Sequence, residues 1–138
     1  MDRVFLDANI LFSAAYAEGS GLSELWNRKG ARLLASGYVI EEARRNLDSE
    51  AARKRLEVLL ERVEQLGDPA AALDPESEAA LPENDRPVLR AAMAAGATHL
   101  LSGDRRAFGG WYGKRLAGML VLRPAEYLKK IGDCPQFQ

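Results

Sequence analysis

Short runs of apolar residues alternate along this chain with longer segments in which apolar residues recur every three or four positions. A short apolar run bounded by turn residues predicts a buried strand, and the longer recurrence predicts an amphipathic helix. Strands are expected at residues 4–6, 31–35, around 72–73, at 98–101 and within 116–122.

The longest helical pattern runs from Ala52 to Leu66, and the segment Gly67-Asp68-Pro69 is expected to end it. Asn84 and Asp85 resemble the start of another helix because Pro87 follows closely. Helices are therefore expected at residues 10–17, near 22–30, and at 38–47, 52–66, 84–95 and 124–131.

Strands that alternate with helices favour right-handed βαβ units, in which a parallel sheet is covered on both faces. The pattern predicts an α/β fold, a three-layer α/β/α sandwich with a central, mainly parallel sheet of about 4–5 strands. The 138 residues contain no internal repeat and no linker, so residues 1–138 are expected to form a single domain.

The rare residue types exclude several kinds of site. One histidine, His99, and one cysteine, Cys134, cannot build a Cys/His zinc cluster, a pair of catalytic histidines or an internal disulfide. The single cysteine, the lack of a signal-peptide pattern and the lack of a membrane-length apolar run predict a cytoplasmic protein. A hydrolase built on this chain would depend on carboxylates.

The charges nearly cancel, since 19 Lys and Arg face 20 Asp and Glu for a net charge of −1. Proteins that bind duplex DNA through counterion release usually carry a clear basic excess. The charge balance therefore argues against a protein that binds nucleic acid tightly through counterion release. It does not exclude a local basic rim around an acidic pocket.

Four acids stand at the ends of the expected elements: Asp7 and Asp104 follow strands, and Glu42 and Asp85 lie near helix starts. The carboxyl ends of parallel strands gather at one edge of a sheet, where such sheets bind ligands. Clustered carboxylates repel one another unless a cation lies between them, and Mg²⁺ or Mn²⁺ prefers oxygen ligands. The four acids therefore point to metal-assisted phosphoester chemistry.

Each acid also has a simpler interpretation. Asp7 and Asp85 could be helix N-caps, and Asp104 could be a turn residue. Either Glu41 or Glu42 is expected to face solvent, because the two are adjacent in one helix.

Four segments stand in a fixed order along the chain: Val4-Phe5-Leu6-Asp7-Ala8-Asn9, Glu42-Ala43-Arg44-Arg45-Asn46-Leu47, Asp85-Arg86-Pro87-Val88-Leu89 and Leu101-Ser102-Gly103-Asp104. In order, spacing and strand–helix context they together resemble the PIN domain, especially the bacterial VapC-type toxins. The resemblance extends from Val4 to about Leu128, and one departure is Ala8, where the family commonly has threonine.

This resemblance implies a metal-dependent ribonuclease that uses one or two Mg²⁺ or Mn²⁺ ions. By matching positions, Asp7, Glu42, Asp85 and Asp104 would be the catalytic acids, with Asn9 and Ser102 bracing them. It further implies a homodimer and, for toxin members, a small antitoxin partner. We hypothesise that Asp7, Asp85 and Asp104 hold metal and that Glu42 positions or deprotonates the attacking water.

Basic residues follow three of the four acids. Arginine suits phosphate, so we expect Arg86 and one of Arg105 and Arg106 to contact the RNA backbone, although all three could form surface ion pairs instead. Trp111 and Tyr112 could stack on bases or anchor their loop to the core. The apolar side chains of the first two helices could be core, a dimer interface or a partner groove: Leu11, Phe12, Leu22, Leu25 and Trp26.

Two other functions compete with the ribonuclease. The first is another Mg²⁺-dependent phosphohydrolase. A haloacid dehalogenase-like phosphatase would need an aspartate where this chain has Asn9, and a P-loop enzyme would need a P-loop sequence, which this chain lacks. A PIN-like module kept only for dimerisation or partner binding would tolerate loss of an acid, and all four are present.

Overall fold

A computed structural model describes residues 1–19 and 21–133 of the chain. Cys134, on which part of the expected location depends, lies outside the described residues. Six strands are present in this part: β1 (Asp2–Leu6), β2 (Ala31–Ser36), β3 (Glu64–Leu66), β4 (His99–Leu101), β5 (Arg115–Leu116) and β6 (Met119–Leu122).

Seven α-helices and three short 3₁₀ segments connect these strands within the described residues. The helices are α1 (Ala8–Tyr16), α2 (Gly37–Asn46), α3 (Glu50–Leu60), α4 (Pro75–Ala79), α5 (Arg86–Ala94), α6 (Arg105–Phe108) and α7 (Pro124–Asp133). The 3₁₀ segments are Gly21–Asn27, Glu83–Asp85 and Gly109–Trp111.

The strands form one sheet in the order β3-β2-β1-β4-β6-β5, in which only the β5–β6 pair is antiparallel. β1 is central because Val4 pairs with Leu33 of β2 on one side and with His99 of β4 on the other. Val4, Phe5 and Leu6 are fully buried, as a strand covered by helices on both faces requires. The three-layer α/β/α fold with a mostly parallel sheet is thus confirmed.

Two expectations between β2 and β4 were wrong. The helix expected to reach Leu66 ends at Leu60, and Glu64–Leu66 forms the edge strand β3 beside β2. No strand forms around Leu73, because that segment leads instead into α4. In addition, the strand expected within 116–122 is the pair β5 and β6, so the sheet has six strands rather than four or five.

Tertiary contacts explain where α3 ends. The Trp26 indole Nε1 donates to the carbonyl oxygen of Leu59 at 3.0 Å, and Arg62 Nη2 donates to the Trp26 carbonyl oxygen at 2.9 Å. The first bond occupies the Leu59 carbonyl group, which a longer helix would have used, and the second ties Arg62, in the turn before β3, to the segment Gly21–Asn27. Leu11, Leu25 and Trp26 are buried in the core, with Phe12 and Leu22 packed against it.

Candidate active site

The order of the strands creates a crevice beside β1. From β1 the chain passes to β2 and β3 on one side of β1, and then returns to β4 on the other side. In parallel sheets, ligands bind at such a reversal, outside the carboxyl ends of the strands. Asp7 follows β1 and Asp104 follows β4 by three residues, so both acids lie at this edge.

A cavity of about 610 Å³ opens at this edge, and all four acids selected from the sequence line it. Asp7 stands at the N-cap of α1, Glu42 within α2, Asp85 before α5 and Asp104 at the N-cap of α6. Four separate elements therefore contribute one carboxylate each. The remaining lining residues are Ala8, Asn9, Phe12, Asn46 and Gly103.

Asp7 is the most buried of the four acids, with only 5% of its surface exposed. Its Oδ1 accepts a hydrogen bond from the Ala8 backbone N–H at 2.8 Å, and its Oδ2 accepts one from the Ser102 hydroxyl at 2.7 Å. Burial raises the pKa of Asp7 to about 6, against the lowering effect of these two bonds, and the charges of Asp85 and Glu42 raise it further. Ionised Asp7 is therefore held at a cost in free energy.

Ser102 and Asn9 hold Asp7 and Asp104 in place through hydrogen bonds. The fully buried Ser102 hydroxyl donates to Asp7 and also accepts from the Asp104 backbone N–H at 3.0 Å. Asn9 Oδ1 accepts from the Gly103 backbone N–H at 2.8 Å, and its Nδ2 lies 3.4 Å from both Asp7 Oδ2 and Ser102 Oγ. One hydrogen-bonded network thus joins the end of β1 to the end of β4.

Replacing Ser102 with alanine tests this brace. Ser102→Ala should lower the free energy of unfolding by about 1–3 kcal/mol, because it leaves the buried Asp7 Oδ2 without its shortest hydrogen bond. It should also raise the pKa of Asp7 further, since the Ser102 bond lowers that pKa. Urea denaturation in EDTA and an NMR titration of Asp7 measure both effects, and Ser13→Ala, at an exposed position on α1, is the matched control. Equal stability of the two variants would contradict the bracing role.

Asp85 does not act as a helix cap. It immediately precedes α5, but its side chain makes no capping hydrogen bond. Its pKa is raised, first by burial and then by the charges of Asp104 and Glu42. The carboxylate instead lines the cavity. Asp7 and Asp104 cap their helices as well as lining it, so for these two residues both interpretations hold.

The structure separates Glu42 from its neighbour. The Glu41 side chain is 61% exposed and lies 3.7 Å from Arg44, whereas Glu42 lines the cavity. Asn46 lines the same cavity and was missed in the sequence. Its spacing of four residues from Glu42 on a helix places the two on one face and could have revealed it.

The cavity suits a hydrated divalent cation. Its lining offers four carboxylates and two amide side chains and includes no lysine or arginine, so a cation there would offset the repulsion that raises the pKa of Asp7 and Asp85. Among residues 1–19 and 21–133, no three His, Cys, Asp or Glu side chains form a ready-made metal cage. A divalent ion that keeps several of its waters needs only one or two carboxylates as direct ligands, and the residues that line the cavity can supply them.

None of the three arginines from which the RNA contacts were expected (Arg86 and one of Arg105 and Arg106) lines the cavity. Arg86 Nε donates to the Leu81 carbonyl oxygen at 3.1 Å, which ties the side chain to its own turn. Arg105 and Arg106 are exposed on α6, directly after Asp104. Tyr112 anchors its loop, because its hydroxyl donates to the Ser102 carbonyl oxygen at 2.9 Å and Arg123 lies over its ring.

Comparison with solved structures finds this fold in two bacterial toxin systems. The VapBC2 complex of Rickettsia felis, solved with a DNA fragment from its promoter, matches with a TM-score of 0.62 and 18% identity, covering 88% of this chain and 98% of the other. VapC20 of Mycobacterium tuberculosis, a toxin that cleaves the sarcin–ricin loop, matches with a TM-score of 0.51 and 17% identity, covering 73% and 91%. At these identities the likeness concerns the fold.

None of the helices in the described residues has the length and apolar character of a membrane span.

A search of the curated proteins finds no match to this chain, whereas a family model does match it. The family model of the PIN domain matches residues 3–106, a range that includes all four cavity acids and the two side chains that brace them. The chain therefore belongs to the PIN domain family.

Proposed function

We propose that this protein is a metal-dependent endoribonuclease that hydrolyses RNA phosphodiester bonds in the cavity. The observation that carries the proposal is the convergence of Asp7, Glu42, Asp85 and Asp104, from four different elements, on one cavity at the carboxyl edge of the sheet. Membership of the PIN domain family and the fold shared with an RNA-cleaving toxin support the same chemistry.

We assign a role to each acid on the basis of its surroundings in the cavity. Asp7, Asp85 and Asp104 would hold one or two Mg²⁺ or Mn²⁺ ions, which supply Lewis acidity and neutralise charge on the phosphate. Asn9 and Ser102 keep Asp7 and Asp104 in place through the network between β1 and β4. Glu42, on a longer side chain and without a bracing bond from this network, would orient the attacking water and accept its proton.

We further propose that the protein is the toxin of a toxin–antitoxin pair. Its fold matches VapC-type structures over 88% and 73% of the chain, and one of them is a VapBC complex. A small antitoxin would then be its protein partner, a homodimer its assembly and the cytoplasm its place of action. Light scattering of the purified protein tests the dimer, and co-purification with a neighbouring gene product tests the antitoxin.

The two adjacent glutamates of α2 provide a matched test of the catalytic site. Glu42→Gln should lower the rate of RNA cleavage by about 10²-fold or more, as expected for loss of a general base. Glu41→Gln changes the same charge one residue away at an exposed position and should leave the rate unchanged. Cleavage of a labelled RNA is followed with Mg²⁺, with Mn²⁺ and with EDTA.

The outcomes separate the competing functions. Cleavage that needs metal and fails only in Glu42→Gln supports the proposal. Equal rates for the two variants would remove Glu42 from the mechanism. If no metal supports cleavage and calorimetry detects no bound ion, the enzyme proposal fails and a PIN module for dimerisation or partner binding takes its place.

A further inference from the structure

A second hollow adjoins the cavity on the α2 side. It has a volume of about 450 Å³, and Glu42, Asn46 and Asp85 line both spaces. The residues that belong to the second hollow alone are Tyr38, Arg45 and Asn84. A chain whose phosphate lies among the acids would therefore continue directly into this hollow. We call it the flanking hollow.

Arg45 is the basic residue among the side chains that line these two spaces. It is exposed and forms no hydrogen bond or ion pair with any of the residues at 1–19 and 21–133. Its neighbour Arg44, by contrast, is held by a bidentate pair with Glu57 at 2.9 and 3.0 Å. The guanidinium of Arg45 is thus available to a ligand.

The walls of the flanking hollow are held in place by the protein itself. The Tyr38 hydroxyl donates to the Asn84 carbonyl oxygen at 2.9 Å, which ties the start of α2 to the 3₁₀ turn carrying Asp85. The Tyr38 backbone N–H donates to Asp68 Oδ2 at 3.0 Å, which anchors the same helix end from the other side. A preorganised wall loses little entropy when a ligand binds.

The chemistry of the flanking hollow suits one nucleotide. Arginine binds a phosphodiester through its planar fork, the amides of Asn46 and Asn84 can donate to and accept from a base or ribose, and the Tyr38 ring offers a stacking face. The four carboxylates next door repel a polyanion, so a cation at this edge would offset part of that repulsion.

We propose that the flanking hollow binds the nucleotide next to the cleaved phosphate of a single-stranded RNA, with Arg45 paired to its phosphodiester. This inference rests on the proposed ribonuclease function and adds the residues that position its substrate. It transfers to Arg45 the phosphate contact expected from the sequence for Arg86, whose guanidinium Nε is bound to Leu81.

Binding in EDTA tests the pairing apart from catalysis. Fluorescence anisotropy with a labelled single-stranded RNA should show that Arg45→Ala weakens binding by about tenfold, as expected for one charge-assisted contact. The slope of log K against log salt concentration should become shallower by about 0.7. Arg45→Lys, which keeps the charge and loses the fork, should recover part of the affinity. Arg53→Ala, an exposed arginine that lines neither space, should bind like the wild type within about twofold.

Neutral linkages locate the contact on the RNA. A series of RNAs carries one uncharged methylphosphonate at each position near the cleaved bond. In the wild type, one flanking position should cost about the same tenfold that Arg45→Ala costs, and Arg45→Ala should be insensitive to that position alone.

The results distinguish this inference from the proposed function. RNA binding and cleavage by the wild type with no change in Arg45→Ala would overturn the inference and leave the ribonuclease standing. An equal loss at every methylphosphonate position would also overturn it, because the effect of Arg45 would then be long-range attraction. A wild-type protein that neither binds nor cuts RNA would overturn both.

Discussion

The Asp7→Asn variant is expected to cut RNA about two to four orders of magnitude more slowly than the wild type. Asp7 is the acid at the centre of the candidate site, buried at the end of β1 and bonded to Ser102 and Ala8. Asparagine keeps the shape of the side chain but removes the negative charge that a divalent cation requires. Single-turnover cleavage in saturating Mg²⁺ measures the loss, with Asp48→Asn, at an exposed position, as the control.

The same variant should remain folded, and its stability should reveal the cost of burying Asp7. The pKa of Asp7 in the folded protein, about 6, lies above the ordinary value of 3.8, so the folded state binds more protons between these two pH values. The free energy of unfolding of the wild type in EDTA should therefore fall by about 1 kcal/mol from pH 5 to pH 7.5. The Asp7→Asn variant has no carboxyl group to titrate at this position. Its free energy of unfolding should therefore increase relative to that of the wild type as the pH rises.

Two results would contradict the role given to Asp7. Cleavage at the wild-type rate by Asp7→Asn would remove it from the mechanism. If the free energy of unfolding depended on pH equally in the two proteins, ionisation of the buried Asp7 would not destabilise the folded state.

Arg90→Leu is expected to cause the largest loss of stability, because it breaks an ion pair with a buried carboxylate. Arg90 Nε and Nη2 donate to the two carboxylate oxygens of Glu78 at 3.0 and 2.8 Å, and Glu78 is only 4% exposed. The Arg90 guanidinium holds the pKa of Glu78 below its usual range. Removing Arg90 leaves a buried carboxylate without its partner, so the loss measured by urea denaturation should be greater at pH 7.5 than at pH 4.5, where protonation relieves it.

A second bidentate pair provides the control for this prediction. Arg44 and Glu57 have the same geometry, but their side chains are 41% and 53% exposed. Arg44→Leu should therefore cost at most about 1 kcal/mol. The double variant Glu78→Leu/Arg90→Leu should recover much of the loss, because no unpaired charge stays buried. Similar losses for Arg90→Leu and Arg44→Leu would show that burial of Glu78 does not matter.

The central part of the fold could be predicted from the sequence because local pattern and tertiary structure agree there. Val4, Phe5 and Leu6 form an apolar run that ends at Asp7, and the helix after it has its own cap. The C-terminal end of α3 could not be predicted in this way. The apolar spacing through Leu56, Leu60 and Val63 continues past the end of the helix, and the bond from Trp26 to Leu59 comes from a distant segment.

Helix α4 was missed although it carries a local signal. Asp74 precedes Pro75, and the Asp74 side chain accepts hydrogen bonds from the backbone N–H and the hydroxyl of Ser77. An aspartate followed by proline and then by acidic residues is a helix start that periodicity alone does not detect in so short a helix.

The candidate site likewise has a part that the sequence predicts and a part that it does not. The positions of its acids follow from strand and helix ends, which a sequence shows, and the ordered set matched a family. The choice among arginines does not follow from the sequence, because it depends on which guanidinium finds a partner in the fold. Arg86 bonds to Leu81 and Arg44 to Glu57, whereas Arg45, one residue further along α2, is left beside the acids.

The central place of β1 in the sheet has a consequence for the timing of activity. β1 is made before its partner β4 and before the acid that follows β4, and many residues separate the two strands along the chain. Pairing of such distant segments is slow, and proteins are made from the N-terminus onward. An unfinished chain that stops before β4 also lacks Asp104 and the Ser102 brace, so the proposed nuclease site is complete only once β4 and the residues directly after it have been translated.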